Sequence, residues 1–316
     1  MCGLYGFSSY SDQPIKDIAK LTNSLAVQSS VRGIDATGIA FCEGGSINVQ
    51  KHPKAAYALD FKPPVSVRAL IGHTRHSTQG SEKFNQNNHP FTGRAGSARF
   101  ALAHNGVLTN DDILQKRYGF KSKIETDSYV AVQLIEQQKR FDINSIRHMA
   151  ETIEGSFSFS ILDNKNTLYL VKGDSPLSIL HFPKERLFVY ASTDEILYKA
   201  LVDSPLFTSL KRGDCETVPI YAGDILVLHT DGRMERHSFQ FRYSYGRDWW
   251  SFGLHSSSDT AKKDSDKNDT PTAANRAYIE DLKYYAMYQG IDPELIDELL
   301  AEGLQPEEVE EYLYAC

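Results

Sequence analysis

Residues 1–7 read MCGLYGF, and this stretch decides how the rest of the chain is arranged. The alternating apolar residues after Cys2 predict a first β-strand that begins next to the cysteine. If the initiator Met1 is removed, which the small side chain of Cys2 permits, one residue carries both a thiol and a free α-amine. A thiolate attacks carbonyl carbon, and an α-amine with an ordinary pKa of roughly 7.7 to 8.0 accepts a proton near neutral pH. The stretch by itself also fits a plain first strand, so whether Cys2 is a nucleophile has to be judged from the other segments.

Composition limits the class of protein. The 316 residues are 41% hydrophobic, enough for one large core with a small appendage. A net charge of -7, from 34 basic and 41 acidic residues, gives no basic surface for nucleic acid. We find no run of membrane-spanning length and no signal-peptide pattern, so we expect no membrane partner and a cytoplasmic location. The 4 cysteines are scattered, which argues against a disulfide scaffold.

Residues 11–43 predict a helix followed by a glycine-punctuated turn and a strand. Asp12 is placed to cap the helix and Pro14 to lie in its first turn, with apolar residues at helical spacing up to residue 25. The turn, residues 32–38, reads RGIDATG and leads into a strand that a hairpin at residues 44–45 closes. Arg32 and Asp35 could form a local ion pair that only shapes this turn.

Two apolar strands end in polar groups that are suited to binding. Residues 69–80 read ALIGHTRHSTQG, a buried strand that leaves Arg75 at the start of a loop containing hydroxyls, a grouping that fits a carboxylate. Residues 100–110 read FALAHNGVLTN, a second strand with an Asn-Gly pair. Asn-Gly commonly marks a tight turn, but Asn105 with the Gly106 N–H also supplies the two donors of an oxyanion hole.

Residues 124–132, IETDSYVAV, predict a helix start, and the helix continues to about residue 138. Asp127 is either a plain cap or a carboxylate that faces a pocket and holds an ammonium group. Four histidines nearby raise a metal alternative. His73 and His76 lie three apart on an extended strand and face opposite ways, and no carboxylate or thiol pair completes a ligand set. We therefore expect no metal, and histidines that serve the core or fix loops.

These segments together resemble class II glutamine amidotransferase domains, which are N-terminal-nucleophile hydrolases. The resemblance rests on Cys2-Gly3 and on residues 32–38, 72–75, 103–106 and 125–127, in order and at similar spacing, and it continues to about residue 230. The GHTR and ETD segments are similar to the glutaminase domain of glucosamine-6-phosphate synthase. The segment around HNG is more similar to that of amidophosphoribosyltransferase. The chain departs from the synthase pattern at His76 and Gln79.

The resemblance implies a fold of the α+β class, a four-layer αββα Ntn-hydrolase sandwich with two antiparallel sheets. It also implies roles for individual residues. Cys2 is expected to be the nucleophile with its α-amine as base, and Asn105 with Gly106 to hold the oxyanion. Substrate binding is expected from Arg75 and Thr78 at the α-carboxylate of glutamine, from Asp127 at its α-ammonium, and from Arg32 as support next to Cys2. No cofactor is expected.

Three functions are open to such a chain. The first is a glutaminase that hydrolyses the glutamine side-chain amide through a Cys2 thioester and supplies ammonia to a separate acceptor enzyme. The second is an amidohydrolase acting on a γ-glutamyl or related amide in its own right. The third is an inactive scaffold that binds a partner, and the presence of the expected site residues argues against it. No P-loop or phosphoribosyl-binding loop follows residue 223, so we expect the ammonia-acceptor synthetase in trans.

The C-terminal part has a different composition. Residues 239–250 are dense in aromatic side chains, which either cover an edge of the core or form a docking peptide. Residues 256–272 are polar and typical of a linker, and three short helices are predicted at 276–290, 293–301 and 306–314, the last part strongly acidic. We expect an amidotransferase domain at 2–250, a flexible linker at 251–275 and a small acidic helical module at 276–316, with residues 239–316 docking a partner that has a basic surface.

Overall fold

The chain divides into two units, and each is described by itself. In the computed structural model, contacts separate Met1–Ser251 from Phe252–Cys316. The structure describes residues 2–241 and, further on, residues 279, 282, 283, 286, 291–302, 304 and 309. The predicted linker at 251–275 lies outside the described residues, and the domain boundaries stay predictions.

Strands outnumber helices in the first unit, and long apolar or alternating segments give rise to them. In chain order they are β1 (Gly3–Ser9), β2 (Ala36–Glu43), β3 (Ser46–His52), β4 (Ala69–Arg75), β5 (Phe91–Ala95), β6 (Ala98–Leu108), β7 (Gly155–Asp163), β8 (Leu168–Lys172), β9 (Ser178–Phe182), β10 (Leu187–Ala191), β11 (Glu216–Thr217), β12 (Asp224–Leu228) and β13 (Met234–Ser238).

Helices cover the outer faces of the sheets. They are α1 (Ile18–Ser29), α2 (Asp111–Tyr118), α3 (Tyr129–Gln137), α4 (Ile143–Thr152), α5 (Asp194–Val202) and α6 (Phe207–Arg212). Side-chain caps fix two of their starts. Asp142 and Ser145 form a reciprocal capping box at α4, and the Thr193 hydroxyl accepts the N–H of Ile196 at α5.

The strands form two antiparallel sheets. The seven-stranded sheet has the order β11-β9-β10-β1-β4-β2-β3, and the six-stranded sheet has the order β13-β12-β8-β7-β6-β5. The N-terminal strand β1 is central in the first sheet, where Gly3 pairs with Thr74 of β4 and Tyr5 with Ala191 of β10. In the second sheet β6 is the long strand, and it pairs with β7 along its length.

Alternation along the strands places the core in three layers. On β4, Leu70 packs under α1, whereas Ile71 packs between the sheets against residues of β6 such as Ala103. On β6, Leu102 packs outward, in the apolar cluster that also contains Val130 of α3. The order is therefore helices, sheet, sheet, helices, and the predicted four-layer αββα sandwich is confirmed.

The start of the first helix was predicted wrongly. The helix begins at Ile18, after Asp17 in the left-handed region at φ 47°, and neither Asp12 nor Pro14 belongs to it. The hydroxyl of Ser11 accepts the N–H two residues later and closes a short turn. Serine and aspartate side chains compete in this way with helix initiation, because they offer the backbone a local partner.

At its end, the first unit places two aromatic side chains on the core. The rings of Phe239 and Phe241 pack on Phe157 of β7, with centroids 6.0 Å and 5.4 Å away. These two residues of the predicted aromatic stretch therefore cover the core. Residues 242–250 of that stretch lie outside the described part of the chain.

The second unit contains the helix α7 (Glu294–Ala301). Its Ile296 is buried in a small apolar cluster with Leu282, Ala286 and Val309. The helix predicted at 293–301 is confirmed, starting one residue later. Of the helices predicted at 276–290 and 306–314, the few described positions are helical and the others lie outside the description. Among the described residues, no helix is long and apolar enough to cross a bilayer.

Candidate active site

Cys2 lies directly before β1, at the edge of the space between the two sheets. Because side chains alternate along the extended chain, Cys2 shares a face with Leu4, which packs between the sheets. Its thiol donates to the carbonyl oxygen of His76 at 3.5 Å, and its own carbonyl oxygen accepts from Arg32 Nε at 2.7 Å. The sulfur is thus held between the end of β4 and the turn that follows α1.

The surroundings of the Cys2 thiol favour its neutral form. Burial raises the pKa of the thiol, the charge of Arg75 lowers it, and the charge of Asp127 raises it. The thiol therefore stays protonated at neutral pH, and a nucleophilic role for it requires a base close by.

Arg75 ends β4 and is almost completely buried, with 3% of its surface exposed. Its Nη1 donates to Asn88 Oδ1 at 2.7 Å, and its Nη2 donates to the carbonyl oxygens of Gln79 and Gly80 at 2.6 Å and 2.7 Å. Thr78 lies in the loop that folds over the guanidinium group, and it is exposed. Burial lowers the pKa of Arg75, and the nearby carboxylates of Glu82, Asp35 and Asp127 act in the opposite direction.

The turn at residues 32–38 braces both Cys2 and the loop after Arg75. Gly33 passes so close to β4 that a Cβ at this position would come within 2.3 Å of the Arg75 carbonyl carbon. Asp35 donates its N–H to the Arg75 oxygen and accepts the Ser77 N–H on Oδ2 at 2.7 Å. Arg32 and Asp35 each have such a partner outside the turn, so the role of these side chains extends beyond the local ion pair that the sequence left open.

Asn105 and Gly106 lie inside β6, paired with Ser158 and Phe157 of β7, so the interpretation of this pair as a tight turn is wrong. The side chain of Asn105 is buried, and its Nδ2 has no hydrogen-bond partner in the described part of the chain. Gly106 has a φ of 140°, and a Cβ would come within 1.9 Å of the Ser156 oxygen. A buried amide N–H₂ without a partner is uncommon in folded proteins, and it indicates a place where a ligand oxygen belongs.

Asp127 precedes α3, and it is not the plain helix cap that the sequence left open. Ser128 occupies the N-cap position, while Asp127 reaches back to β6. Its Oδ2 accepts the N–H of Leu108 at 2.7 Å, and its Oδ1 accepts from the Ser128 hydroxyl at 3.1 Å. The side chain is buried, and its charge acts on both the Cys2 thiol and Arg75.

Three buried histidines lie behind these groups. The rings of His73 and His89 are 4.1 Å apart and those of His89 and His104 are 6.4 Å apart, while His76 is exposed. Burial lowers the pKa of His73 to about 3, and it also lowers the pKa of His89 and of His104. Within residues 2–241 and the described C-terminal positions, no group of three or more His, Cys, Asp or Glu side chains could hold a metal ion.

The structure thus gathers Cys2, Arg32, Arg75 and Asp127 at one place, and it sets Asn105 and Gly106 on the strand of the second sheet that packs against β1 and β4. Thr78 is the predicted site residue for which no contact defines a position in the pocket. Sequence reasoning missed Asn88, which holds Arg75, and Ser128, which holds Asp127. For Asn88 the only signal in the sequence was its place in a polar loop. For Ser128 it was its place beside a predicted helix cap.

Two stacked antiparallel sheets, covered by helices and carrying a thiol at the start of the first strand, define the N-terminal-nucleophile hydrolase type of fold. A solved structure of the glutamine phosphoribosylpyrophosphate amidotransferase from B. subtilis shares this fold with a TM-score of 0.61 and 20% identity, covering 77% of this chain and 50% of that one. At this identity the similarity establishes the fold alone.

Sequence comparison identifies the class. Residues 73–199 match the glutamine amidotransferase domain family. Glutamine--fructose-6-phosphate aminotransferase [isomerizing] of Staphylococcus aureus is 32% identical over 258 residues, which are 76% of this chain and 39% of that protein. The enzyme of the same name from Geobacillus kaustophilus is 33% identical over 190 residues, or 57% of this chain and 30% of that protein. The chain spans less than two fifths of the length of these relatives. It carries a class II glutamine amidotransferase domain, as its motifs predicted.

Proposed function

We propose that this chain hydrolyses the side-chain amide of glutamine through a thioester on Cys2, releasing glutamate and ammonia. The observation that carries the proposal is that one buried cation, Arg75, and one buried anion, Asp127, both act on the same thiol. Free glutamine presents one anion and one cation at its Cα end. A site that selects it needs this pair of opposite charges, because either one left unpaired in a buried pocket is costly.

Nucleophilic attack requires that Cys2 become the first residue of the mature chain. Its α-amine then takes the thiol proton, which matters here because burial raises the pKa of the thiol. The sulfur attacks the amide carbon, and the C–N bond breaks as the ammonium group returns the proton to the leaving nitrogen. Water, deprotonated by the same amine, attacks the thioester. The C–S bond breaks, and the thiol and glutamate are released.

Binding of the amino-acid end uses groups from both sheets. Arg75 has five N–H donors, and three are in hydrogen bonds to Asn88, Gln79 and Gly80. Nε and Nη1 each keep one N–H, and either can donate to the α-carboxylate. Thr78, in the loop over the guanidinium group, supplies a hydroxyl for the same carboxylate. Asp127, held by two hydrogen bonds, accepts the α-ammonium.

The tetrahedral intermediate is held by Asn105 and Gly106. The unpartnered Nδ2 of Asn105 is the first donor, and the Gly106 N–H is the second. A donor that the fold has already oriented and left without a partner stabilises a developing oxyanion without reorganisation during the reaction. Arg32 contributes by fixing the Cys2 carbonyl group at the start of β1.

We further propose that the ammonia passes to a separate acceptor enzyme. The relatives are named glutamine--fructose-6-phosphate aminotransferases, and in an aminotransferase the nitrogen taken from glutamine goes to an acceptor molecule. Docking through the segment predicted at 239–316 remains part of this proposal, except for the side chains of Phe239 and Phe241, which cover the core. Deletion of residues 256–316 tests it, because complex formation and activity in the cell should then be lost while glutamate release is kept.

Glutamate release by the purified chain tests the proposal. We expect release from glutamine that falls to background in Cys2→Ala, and no loss in the control Cys215→Ala, whose thiol lies before β11 at the far end of the sheet order. Intact mass should show Met1 removed, and a glutamine-like electrophile should label Cys2. A retained Met1, or equal activity of wild type and Cys2→Ala, would overturn it. Preference for γ-glutamyl peptides over glutamine would instead identify an amidohydrolase.

A further inference from the structure

A chain of hydrogen bonds runs from Asp127 into the layer beneath the site. Asp127 Oδ1 contacts the hydroxyl of Ser128 at 3.1 Å, and the same hydroxyl contacts Nδ1 of His104 at 2.8 Å. All three side chains are buried, with 4%, 4% and 1% of their surface exposed. The carboxylate is therefore linked to an imidazole through a single hydroxyl group that solvent does not reach.

The direction of each hydrogen bond follows from what the groups can donate. An ionised carboxylate only accepts, so the single proton of Ser128 points at Asp127 Oδ1. The hydroxyl oxygen then has to accept from His104, which places the imidazole proton on Nδ1. Because burial lowers the pKa of His104, the ring is neutral, and its Nε2 carries no proton. The other tautomer would have Nε2 donate to the Ser156 oxygen over 3.4 Å, a longer contact than the 2.8 Å one at Nδ1.

The imidazole at the end of this chain cannot turn. Its ring stacks on Phe159 of β7, with centroids 4.6 Å apart and planes 19° from parallel. The backbone oxygen of His104 accepts from His73 Nε2 at 2.9 Å, which fixes the strand at the residue before Asn105. The direction of the Nδ1–H bond is therefore fixed, and through it the position of the Ser128 hydroxyl.

We propose that Ser128 and His104 are positioning residues that hold the Asp127 carboxylate in the one rotation that faces the substrate ammonium, and so select amides with a free α-amine. This inference rests on the proposed function. The backbone N–H of Leu108 holds only Oδ2, and without Ser128 no other described residue donates to Oδ1 to fix the rotation of the carboxylate plane. Discrimination for the amine thus depends on a residue that does not touch the substrate.

The test compares two amides that differ in one group. Glutamine carries the α-ammonium, whereas glutaramate, the monoamide of glutaric acid, lacks it. In Ser128→Ala we expect the KM for glutamine to rise about tenfold, since a hydrogen bond to a charged group is lost, while kcat/KM for glutaramate stays within about twofold. Ser128→Thr keeps the hydroxyl and should restore the glutamine KM. The matched control is Ser145→Ala, another buried serine at a helix start, which should leave the ratio of the two substrates unchanged.

A loss of equal size on both amides would overturn the inference while leaving the proposed function intact. Absence of glutamate release in the wild type would overturn both. The tautomer of His104 can be measured in the wild-type chain and gives a second test. Nitrogen-15 spectra of the wild-type chain should show the proton of His104 on Nδ1, and a proton on Nε2 instead would also overturn the inference.

Discussion

The two sheets contribute to the candidate site in different ways. The seven-stranded sheet brings Cys2 and Arg75, whose polar atoms are engaged by the protein itself: three hydrogen bonds hold the guanidinium group. The six-stranded sheet brings Asn105, whose Nδ2 has no partner among the described residues. If the proposed roles hold, the first side combines ligand binding with holding the fold together, whereas the second side has a donor that the described residues leave available. Substitutions on the two sides should therefore differ in what they change.

Among the substitutions that compare the two sides, the largest effect is expected at Asn105. Asn105→Ala removes a donor that no described residue uses, so we expect kcat for glutamate release to fall by about 10²- to 10³-fold while KM changes little. The free energy of unfolding should fall by less than about 1 kcal/mol, because no hydrogen bond of the amide nitrogen is lost. Steady-state kinetics together with urea unfolding check this. If Asn105→Ala lowered the free energy of unfolding by more than Arg75→Lys does, the two sheets would not differ in the way described.

Arg75→Lys should affect binding and stability together. A lysine is a point charge on a flexible stem, and it cannot reproduce the planar fork that holds Asn88, Gln79 and Gly80. We expect the KM for glutamine to rise at least about tenfold and the free energy of unfolding to fall by about 2 kcal/mol. The control is Arg186→Lys, a half-exposed arginine near Tyr10, which should change neither. Full stability of Arg75→Lys would show that the loop does not depend on the guanidinium group.

The buried histidines between the two sheets should make the folded chain less stable in acid. Burial lowers the folded-state pKa of His73 to about 3, below the ordinary value of about 6.5 that applies to the unfolded chain. A depressed histidine pKa contributes stability that is fully present above pH 6.5 and is lost as the pH falls below it, because the unfolded chain then takes up the proton first. The slope reaches about 1.36 kcal/mol per pH unit for each such histidine.

Urea unfolding at pH 7, 6, 5 and 4 measures this slope. His89→Phe should flatten it, because this ring is buried, its pKa is lowered by burial, and neither of its nitrogens has a partner in the described structure. His52→Gln replaces an exposed histidine on β3 and serves as the control. A free energy of unfolding that is constant from pH 7 to pH 4 would contradict the prediction.

The smallest effect is expected at the side chain of Gln79. Its Nε2 lies 3.4 Å from Asp111 Oδ2, a long contact near the surface, and Arg75 uses only the backbone oxygen of this residue. Gln79→Ala should therefore change the free energy of unfolding by less than about 0.5 kcal/mol and the KM by less than about threefold. Ser77→Pro is the informative contrast, since it removes the N–H that Asp35 accepts. A large effect of Gln79→Ala would mean that the side chain, and not the loop backbone, carries the function.

Much of the fold could be predicted from the sequence, because strand alternation and the family motifs act over short distances. The hairpin between β2 and β3 and the two-sheet sandwich are examples. The wrong predictions were made where a short sequence motif fits two different local structures. Asp12 and Pro14 fit a helix start, yet the hydroxyl of Ser11 closes a turn there. Asn-Gly fits a turn, yet Asn105 continues a strand whose pairing with β7 is set by residues fifty positions away.

The residues of the candidate site were easier to predict from the sequence than the residues that hold them in place. The motifs named the groups that carry charge or donate protons, but they could not show what holds those groups in place. Asn88 meets Arg75 only because the loop after β4 folds back, and Ser128 meets His104 only because the start of α3 lies next to β6. Such contacts join segments that have no local pattern in common, and only the packed structure supplies them.

The hydrogen bond from His73 to the backbone of His104 connects β4 of one sheet to β6 of the other, immediately behind the pocket. An imidazole ring has fixed dimensions, so it acts as a spacer whose length does not follow changes in the volume of neighbouring apolar side chains. This hydrogen bond therefore ties the strand that ends at Arg75 to the strand that carries Asn105, at a separation set by the ring and not by the volume of neighbouring apolar side chains.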